Sequence, residues 1–399
     1  MRRLDYKHTI YASYLGYITQ AIINNLAPLL FITFIDSFGI SLQKITLLVT
    51  VNFCTQLLVD LISARVVDRI GYRICIVTAH IFSVLGLLSM AFLPVLLPDP
   101  YTGLLVSVVL YAIGGGIIEV LISPIVEACP TDNKASIMSL LHSFYCWGTV
   151  AVVLLSTAFL VLFGRENWQL LPCFWAILPL CNAVYFCRVP INTLVEENEG
   201  MTLRELFSQK IFWLFVLLML MAGASEQAMS QWASAFAESG LNVSKTVGDL
   251  AGPCMFSILM GGARVFYAKF SEKINLLSFI IGSSVLCVFA YLLASLSPSP
   301  ALSLVGCGLC GLSVGILWPG VFSIASARCP RGGTAMFAFL ALAGDAGCGG
   351  GPTLVGMVSG AFGDNLNAGL LAAIVFPLIL IVCAFICRKT GSPEAGNEV

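Results

Sequence analysis

Glu119 stands inside an apolar run, Gly114-Gly-Gly-Ile-Ile-Glu119-Val-Leu-Ile-Ser123-Pro124, well away from the charged turn at Asp132 and Lys134. A carboxylate at membrane depth is costly in either protonation state, and by default it marks a functional site whose partner has to be found. An acid that is costly to ionise suits a group that takes up and releases protons. The competing reading is a permanently protonated acid that hydrogen-bonds a neighbouring helix. Its neighbours at helical spacing, Gly115, Gly116 and Ser123, are small and leave room for solvent or a ligand.

Other polar groups recur at helical spacing in apolar surroundings. Ser13, Tyr17, Gln20 and Asn24 share one face, with Asn25 beside them and Pro28 one turn on. Amides offer both donors and acceptors and suit sugar hydroxyls, so Gln20, Asn24 and Asn25 are expected to line a cavity rather than tie helices together. His142 and Tyr145 lie three apart, with Ser139 and Thr149 continuing the stripe. They either bond substrate hydroxyls or Glu119, or tie helices together. Asn52, Gln56 and Asp60 lie four apart, and Asp60 is read as a structural group that pairs near Arg65. Glu226, Gln227, Ser230, Gln231 and Trp232 form a second polar cluster, read as a cavity face. Arg264 has two candidate partners, Glu226 and Asp345, and Asp345 is alternatively a second titrating group. Trp147, Trp232 and Trp318 are candidates for stacking on a sugar face, whereas Trp168 and Trp213 stand at run ends and are expected as interface anchors.

These residues need apolar elements to hold them, and the composition supplies them. Hydrophobic residues make up 58% of 399 and charged residues 10%, where a soluble domain carries roughly a quarter charged. With a net charge of -1 and no basic block, a nucleic-acid partner is excluded from the expectations. A span needs about 20 apolar residues, and twelve candidates are read at 9–35, 45–66, 74–97, 102–128, 136–163, 168–188, 211–237, 247–270, 275–296, 301–325, 334–358 and 368–388. The expected class is an all-α, multi-pass membrane protein with the lipid bilayer around it. Placing the N-terminus inside puts sixteen Lys and Arg residues on the cytoplasmic side and only Lys44, Arg165 and Lys245 outside, so both termini are expected in the cytoplasm. Most of the fifteen cysteines lie in apolar runs, where cysteine is a small hydrophobe, and few or no disulfides are expected. No H-E-x-x-H, Walker loop or Ser/His/Asp set is present, so neither an enzyme nor a metal or other cofactor is expected.

The chain repeats itself at an offset of 200 residues. Pro98 and Pro100 match Pro298 and Pro300, Gly115 matches Gly315, Ser123 matches Ser323, and Cys129-Pro130 matches Cys329-Pro330. This reads as six spans in 1–188, a cytoplasmic linker in 189–210, six spans in 211–388 and a disordered tail in 389–399. The linker carries an acidic cluster (Glu196, Glu197, Glu199), and Thr202-Leu-Arg-Glu205 is a candidate capping box opening a short helix. A parallel repeat of six plus six is the layout of major facilitator transporters, whose substrate path lies between the halves.

Ala64-Arg65-Val-Val-Asp68-Arg69-Ile-Gly71-Tyr-Arg73 resembles the loop motif G-x-x-x-D-R-x-G-x-R of the major facilitator superfamily, with alanine at the first position. The resemblance implies a gating role for Asp68, Arg69, Gly71 and Arg73. Gly116-x-x-Glu119-x-x-x-Ser123-Pro124, Met138-Ser-Leu-Leu-His142-Ser-Phe-Tyr-Cys-Trp-Gly148, Leu317-Trp318-Pro319 and Leu342-Ala-Gly-Asp345-Ala-Gly-Cys348 resemble the fucose permease branch. That branch implies a proton-coupled importer of sugars or similar polyols, with the acid of the fourth span central to coupling. One departure stands out, since the branch carries an acid in the first span and this chain has Asn24-Asn25 there.

The chain is therefore expected to be a monomeric secondary transporter in the cell membrane moving a small polar solute, a sugar or polyol, with the proton as coupling ion. Proton coupling falls to Glu119 or Asp345, and substrate contact to Gln20, Asn24, Asn25, His142, Tyr145, Glu226, Gln227, Gln231 and Trp318. The alternatives are an exporter or uniporter of an amphipathic metabolite or drug, a non-transporting sensor, and a membrane enzyme.

Overall fold

A computed structural model describes residues 4–40, 42–193, 201–233, 236–237, 241, 248, 250–363 and 365–390. Among them all regular structure is helical. The first six helices are α1 (Tyr6–Phe38), α2 (Leu42–Ile70), α3 (Tyr72–Leu96), α4 (Pro100–Glu127), α5 (Lys134–Phe163) and α6 (Leu170–Phe186). After the short α7 (Leu203–Ser208) come α8 (Lys210–Ser230), α9 (Met255–Phe270), α10 (Leu276–Leu296), α11 (Pro300–Val314) and α12 (Leu317–Arg328). The chain closes with α13 (Gly333–Ala361), α14 (Leu366–Ala372) and α15 (Val375–Thr390). Eight stretches are long and apolar enough to cross a bilayer, and they coincide with eight of the twelve expected spans. Leu170–Phe186 and Thr50–Ser63 are apolar but shorter. The acidic cluster of the linker and the tail from 391 onward lie outside the described residues.

The chain divides into two compact units, Met1–Met201 with Arg331–Asp345, and Thr202–Pro330 with Ala346–Val399. The first part of α13 thus belongs to the first unit and its remainder to the second. In the first unit, α3 and α4 approach closely because small residues line the contact. A Cβ on Gly103 would meet Leu93 backbone at 2.6 Å, and one on Gly114 the Ala79 carbonyl oxygen at 2.6 Å. With little driving force between apolar helices in lipid, such close approach gives the dispersion contact that holds them. A buried polar network adds direction. His80 donates from Nδ1 to the Ile76 carbonyl (2.8 Å), and its Nε2 accepts from Asn182 Nδ2 (2.9 Å). That amide also donates to the Ala12 carbonyl (3.0 Å), so α1, α3 and α6 are tied at one point.

Helix boundaries follow local chemistry. The matched prolines open α4 and α11, with Asp99 and Ser299 as N-caps and Pro100 and Pro300 at the first helical turn, where a missing N–H costs nothing. Asp99 accepts from the Tyr101 and Thr102 amides and from the Thr102 hydroxyl at 2.6 Å. The hydroxyl bond, then the amides and Lys44, hold its carboxyl below the usual range. Its capping is thus present at neutral pH and lost as acid protonates it. Gly71 turns α2 into α3 with φ 97°, a conformation that favours glycine. Thr202 and Glu205 make the capping box in full.

One expectation needs correction and another gains detail. Trp168 is no interface anchor: it is 3% exposed and packs edge-on against Phe34 and Phe38. The tenth expected span stands as one apolar stretch, Pro300–Arg328, interrupted where α11 ends at Val314 and α12 starts at Leu317. In the second unit, α8 and α13 meet through glycines, and a Cβ on Gly351 would lie 2.5 Å from the Ala224 carbonyl oxygen. Among the described residues no cysteine forms a disulfide.

Candidate functional site

The acids and amides of the first unit converge. Gln20 on α1 donates from Nε2 to Glu119 Oε2 on α4 at 2.9 Å. One turn further along α1, Asn24 Oδ1 accepts from Asn52 Nδ2 (3.3 Å) and Gln56 Nε2 (3.0 Å) on α2, and Gln56 also donates to Asn52 Oδ1 at 3.1 Å. Gly115 makes the room: a Cβ there would sit 3.0 Å from Gln20 Oε1 and 3.5 Å from Gln56 Nε2. The Oε1 atoms of Gln20 and Gln56 are buried with no hydrogen-bond donor, so the cluster keeps acceptors to spare. Such unfilled acceptors are what a hydroxyl-bearing ligand would satisfy.

His142 and its neighbours form a second group. Tyr17 OH lies 3.0 Å from Ser123 Oγ and 3.2 Å from His142 Nε2, and Ser123 Oγ lies 3.3 Å from the same nitrogen. This joins α1, α4 and α5 one turn along from Glu119. Asn25 donates to the Ala21 carbonyl and to Thr149 Oγ1 at 3.3 Å, while Tyr145, one turn before Thr149 on α5, is half-buried and its carbonyl accepts from the Thr149 hydroxyl at 3.1 Å. Asp60 is fully buried, and its two carboxyl oxygens have no hydrogen-bond partner among the described residues. The side chain of Arg65, read as its neighbour, lies outside the described residues.

The second unit holds its own cluster. Glu226 pairs with Arg264, Oε2 to Nη2 at 3.4 Å, both buried. Of the two partners considered for Arg264, the structure selects Glu226. Arg264 Nε donates to the Gly315 carbonyl at 2.6 Å, and Gly315 lies in the break between α11 and α12, where backbone carbonyls lack helical partners. Trp318, 7% exposed, begins α12 next to that break. Gln231 donates to Gln227 Oε1 at 3.0 Å, and Gln231 is exposed where Gln227 is buried. Trp232 donates to the Pro352 carbonyl at 3.0 Å, and Trp147 is 38% exposed.

In the loop motif, Arg69 is exposed and the Asp68 side chain lies outside the described residues. Arg73 donates to the Phe186 and Val189 carbonyls at 2.7 and 2.8 Å, closing the end of α6. Sequence reasoning placed Asn52 and Gln56 on one stripe but did not join it to Asn24. Their four-residue spacing was the available signal.

The Major Facilitator Superfamily profile matches residues 13–352. Among curated proteins, "Membrane protein MosC" of Rhizobium meliloti is 25% identical over 293 residues, 73% of this chain and 70% of that protein. Among solved structures, the transporter FucP in its outward conformation superposes with TM-score 0.79 at 14% identity, covering 96% of this chain and 99% of that one. The proton:xylose symporter XylE, bound to 6-bromo-6-deoxy-D-glucose, superposes with TM-score 0.83 at 11% identity, covering 96% and 95%. At such identities the likeness is one of fold.

Proposed function

Because the chain belongs to the Major Facilitator Superfamily and is a transporter rather than an enzyme, we propose that it moves a small polar solute, a sugar or polyol, by proton-coupled alternating access. It works in this reading as a monomer in the cell membrane, with twelve spans arranged as two bundles, 1–188 and 211–388, and both termini in the cytoplasm. The observation that carries the proposal is the Gln20–Glu119 contact at 2.9 Å. It sets an acid against the amide of Gln20, one helical turn along α1 from Asn24 and its partners Asn52 and Gln56, which have the chemistry to bind hydroxyls. The likeness in fold to XylE, a proton:xylose symporter, and to FucP, the E. coli fucose:proton symporter, supports the same class of solute and ion.

Glu119 takes the coupling role in this reading. Neutral Glu119 is better tolerated in a dry, membrane-embedded state than its anion, so a bound proton favours occlusion. Water reaching the site on the alkaline side then releases it. Gln20 positions the carboxyl, and Asn24, Asn25, His142 and Tyr145 face the solute from the first unit. Glu226, Gln227, Gln231 and Trp318 contribute from the second.

The test is accumulation in proteoliposomes. A thermal-shift screen over neutral sugars, polyols and organic acids first identifies a ligand, which at 100 times its Kd stabilises the fold by about 2.7 kcal/mol. An inward proton gradient should then concentrate that ligand above its outside level. Equilibration without accumulation, at every gradient imposed, contradicts proton coupling.

A further inference from the structure

We propose that Arg264 is a positioning residue that pins the break between α11 and α12. It supplies the donor that Pro319 withholds, with Glu226 as its counter-charge, and so sets the place of Trp318. That Trp318 meets a solute rests on the transport reading above, whereas the pinning does not. In a continuous helix the Gly315 carbonyl would accept from the N–H of residue 319. Residue 319 is proline, which has no N–H and whose ring crowds the carbonyl four residues back. The Gly315 oxygen accepts instead from Arg264 Nε at 2.6 Å. Helix α11 stops at Val314, and α12 begins at Leu317, immediately before Trp318.

Proline by itself does not open a helix in this protein. Pro28, Pro124 and Pro352 lie inside α1, α4 and α13, which run on through them. What differs at the break is the helix packed against it. A Cβ on Gly315 would lie 2.7 Å from the Met260 carbonyl oxygen and 2.8 Å from Ala263 Cβ, so the α9 backbone presses on the break. Arg264 stands one turn beyond Met260, and from there its guanidinium reaches the freed oxygen. The internal repeat supplies a comparison. At the offset of 200, Gly115 stands opposite Gly315 and Glu119 opposite Pro319. Glu119 has an N–H, and α4 runs unbroken from Pro100 to Glu127.

A buried guanidinium is costly, and a buried carboxylate offsets that cost only where further hydrogen bonds help. Glu226 Oε2 lies 3.4 Å from Nη2, long for a charge-assisted bond, and the Nε bond to the backbone is much shorter. Glu226 therefore balances the charge, while the Gly315 carbonyl fixes where the guanidinium sits.

Hydrogen–deuterium exchange of the purified full chain tests this, read by mass spectrometry over peptides spanning 312–323. The paired substitution Arg264→Met with Glu226→Gln removes the donor without stranding a charge. Exchange across the break should rise about tenfold or more, while peptides of α15 in the same unit keep their native rate. Adding Pro319→Ala returns an N–H to that position and should restore native protection. Failure of Pro319→Ala to restore it, or an equal rise in α15, overturns the proposal. Pro319→Ala alone, which strands no charge, is the second variant should the pair not fold. In a chain whose other tryptophans are phenylalanine, it should raise acrylamide quenching of Trp318 and shift its emission to the red. If quenching and emission both stay native, the break does not place Trp318, and the proposal fails.

Discussion

Gln20 donates to Glu119 at 2.9 Å, and its position depends on the absence of a side chain at Gly115. A Cβ there would sit 3.0 Å from Gln20 Oε1 and 3.2 Å from Ile23 Cγ2, so Gly115→Ala should push the amide off Glu119. A hydrogen bond to a charged group contributes about 1.5–3 kcal/mol, hence a fall of about tenfold or more in transport rate is expected, with normal expression. Gly349→Ala, where a Cβ meets nothing within 4 Å, is the control, and equal loss in both would contradict the argument. Glu119 was legible in the sequence because an acid in an apolar run is rare. Its partner was legible only as a member of a stripe, since helical spacing shows which residues share a face and not what the face meets.

At the scale of the helix, glycines decide which elements touch. Gly347 and Gly351 on α13 abut the Leu220 and Ala224 backbone on α8, whereas Gly349 and Gly350 meet nothing within 4 Å. Gly347→Leu should therefore destabilise the second unit by several kcal/mol, read as a lower melting temperature. Gly350→Ala should not. The turn between α2 and α3 allows a different test. Gly71 has φ 97°, so Gly71→Leu is strained there by about 1–3 kcal/mol. With Asp68→Asn, it should slow transport while leaving substrate affinity within about twofold, and a loss confined to affinity would contradict a gating role. The helix starts at Pro100 and Pro300 and the Thr202–Glu205 box were legible, because capping chemistry is local. The break at Gly315 was not, since glycine alone does not announce it and Arg264, 51 positions away, caps the freed carbonyl.

Across the whole chain, the offset of 200 residues has a physical counterpart in each unit. Gly115 makes room for the Gln56 side chain on α2, and its match Gly315 lies against the Met260 backbone on α9. Each is a small residue at a close helix crossing, α4 against α2 in the first unit and the α11–α12 break against α9 in the second. The periodic apolar runs made the helical class readable, because bilayer thickness dictates their length. The positive-inside bias makes orientation testable: epitopes added at residue 2 and after residue 399 should both be reached from the cytoplasmic face only. Labelling from opposite faces would contradict it. The central claim is that Glu119 carries the coupled proton, and Glu119→Gln keeps its shape while mimicking the protonated form. In proteoliposomes it should abolish gradient-driven accumulation yet retain counterflow exchange, in which no net proton moves. If the Glu119→Gln protein still concentrates substrate along an imposed proton gradient, the account of Glu119 is wrong.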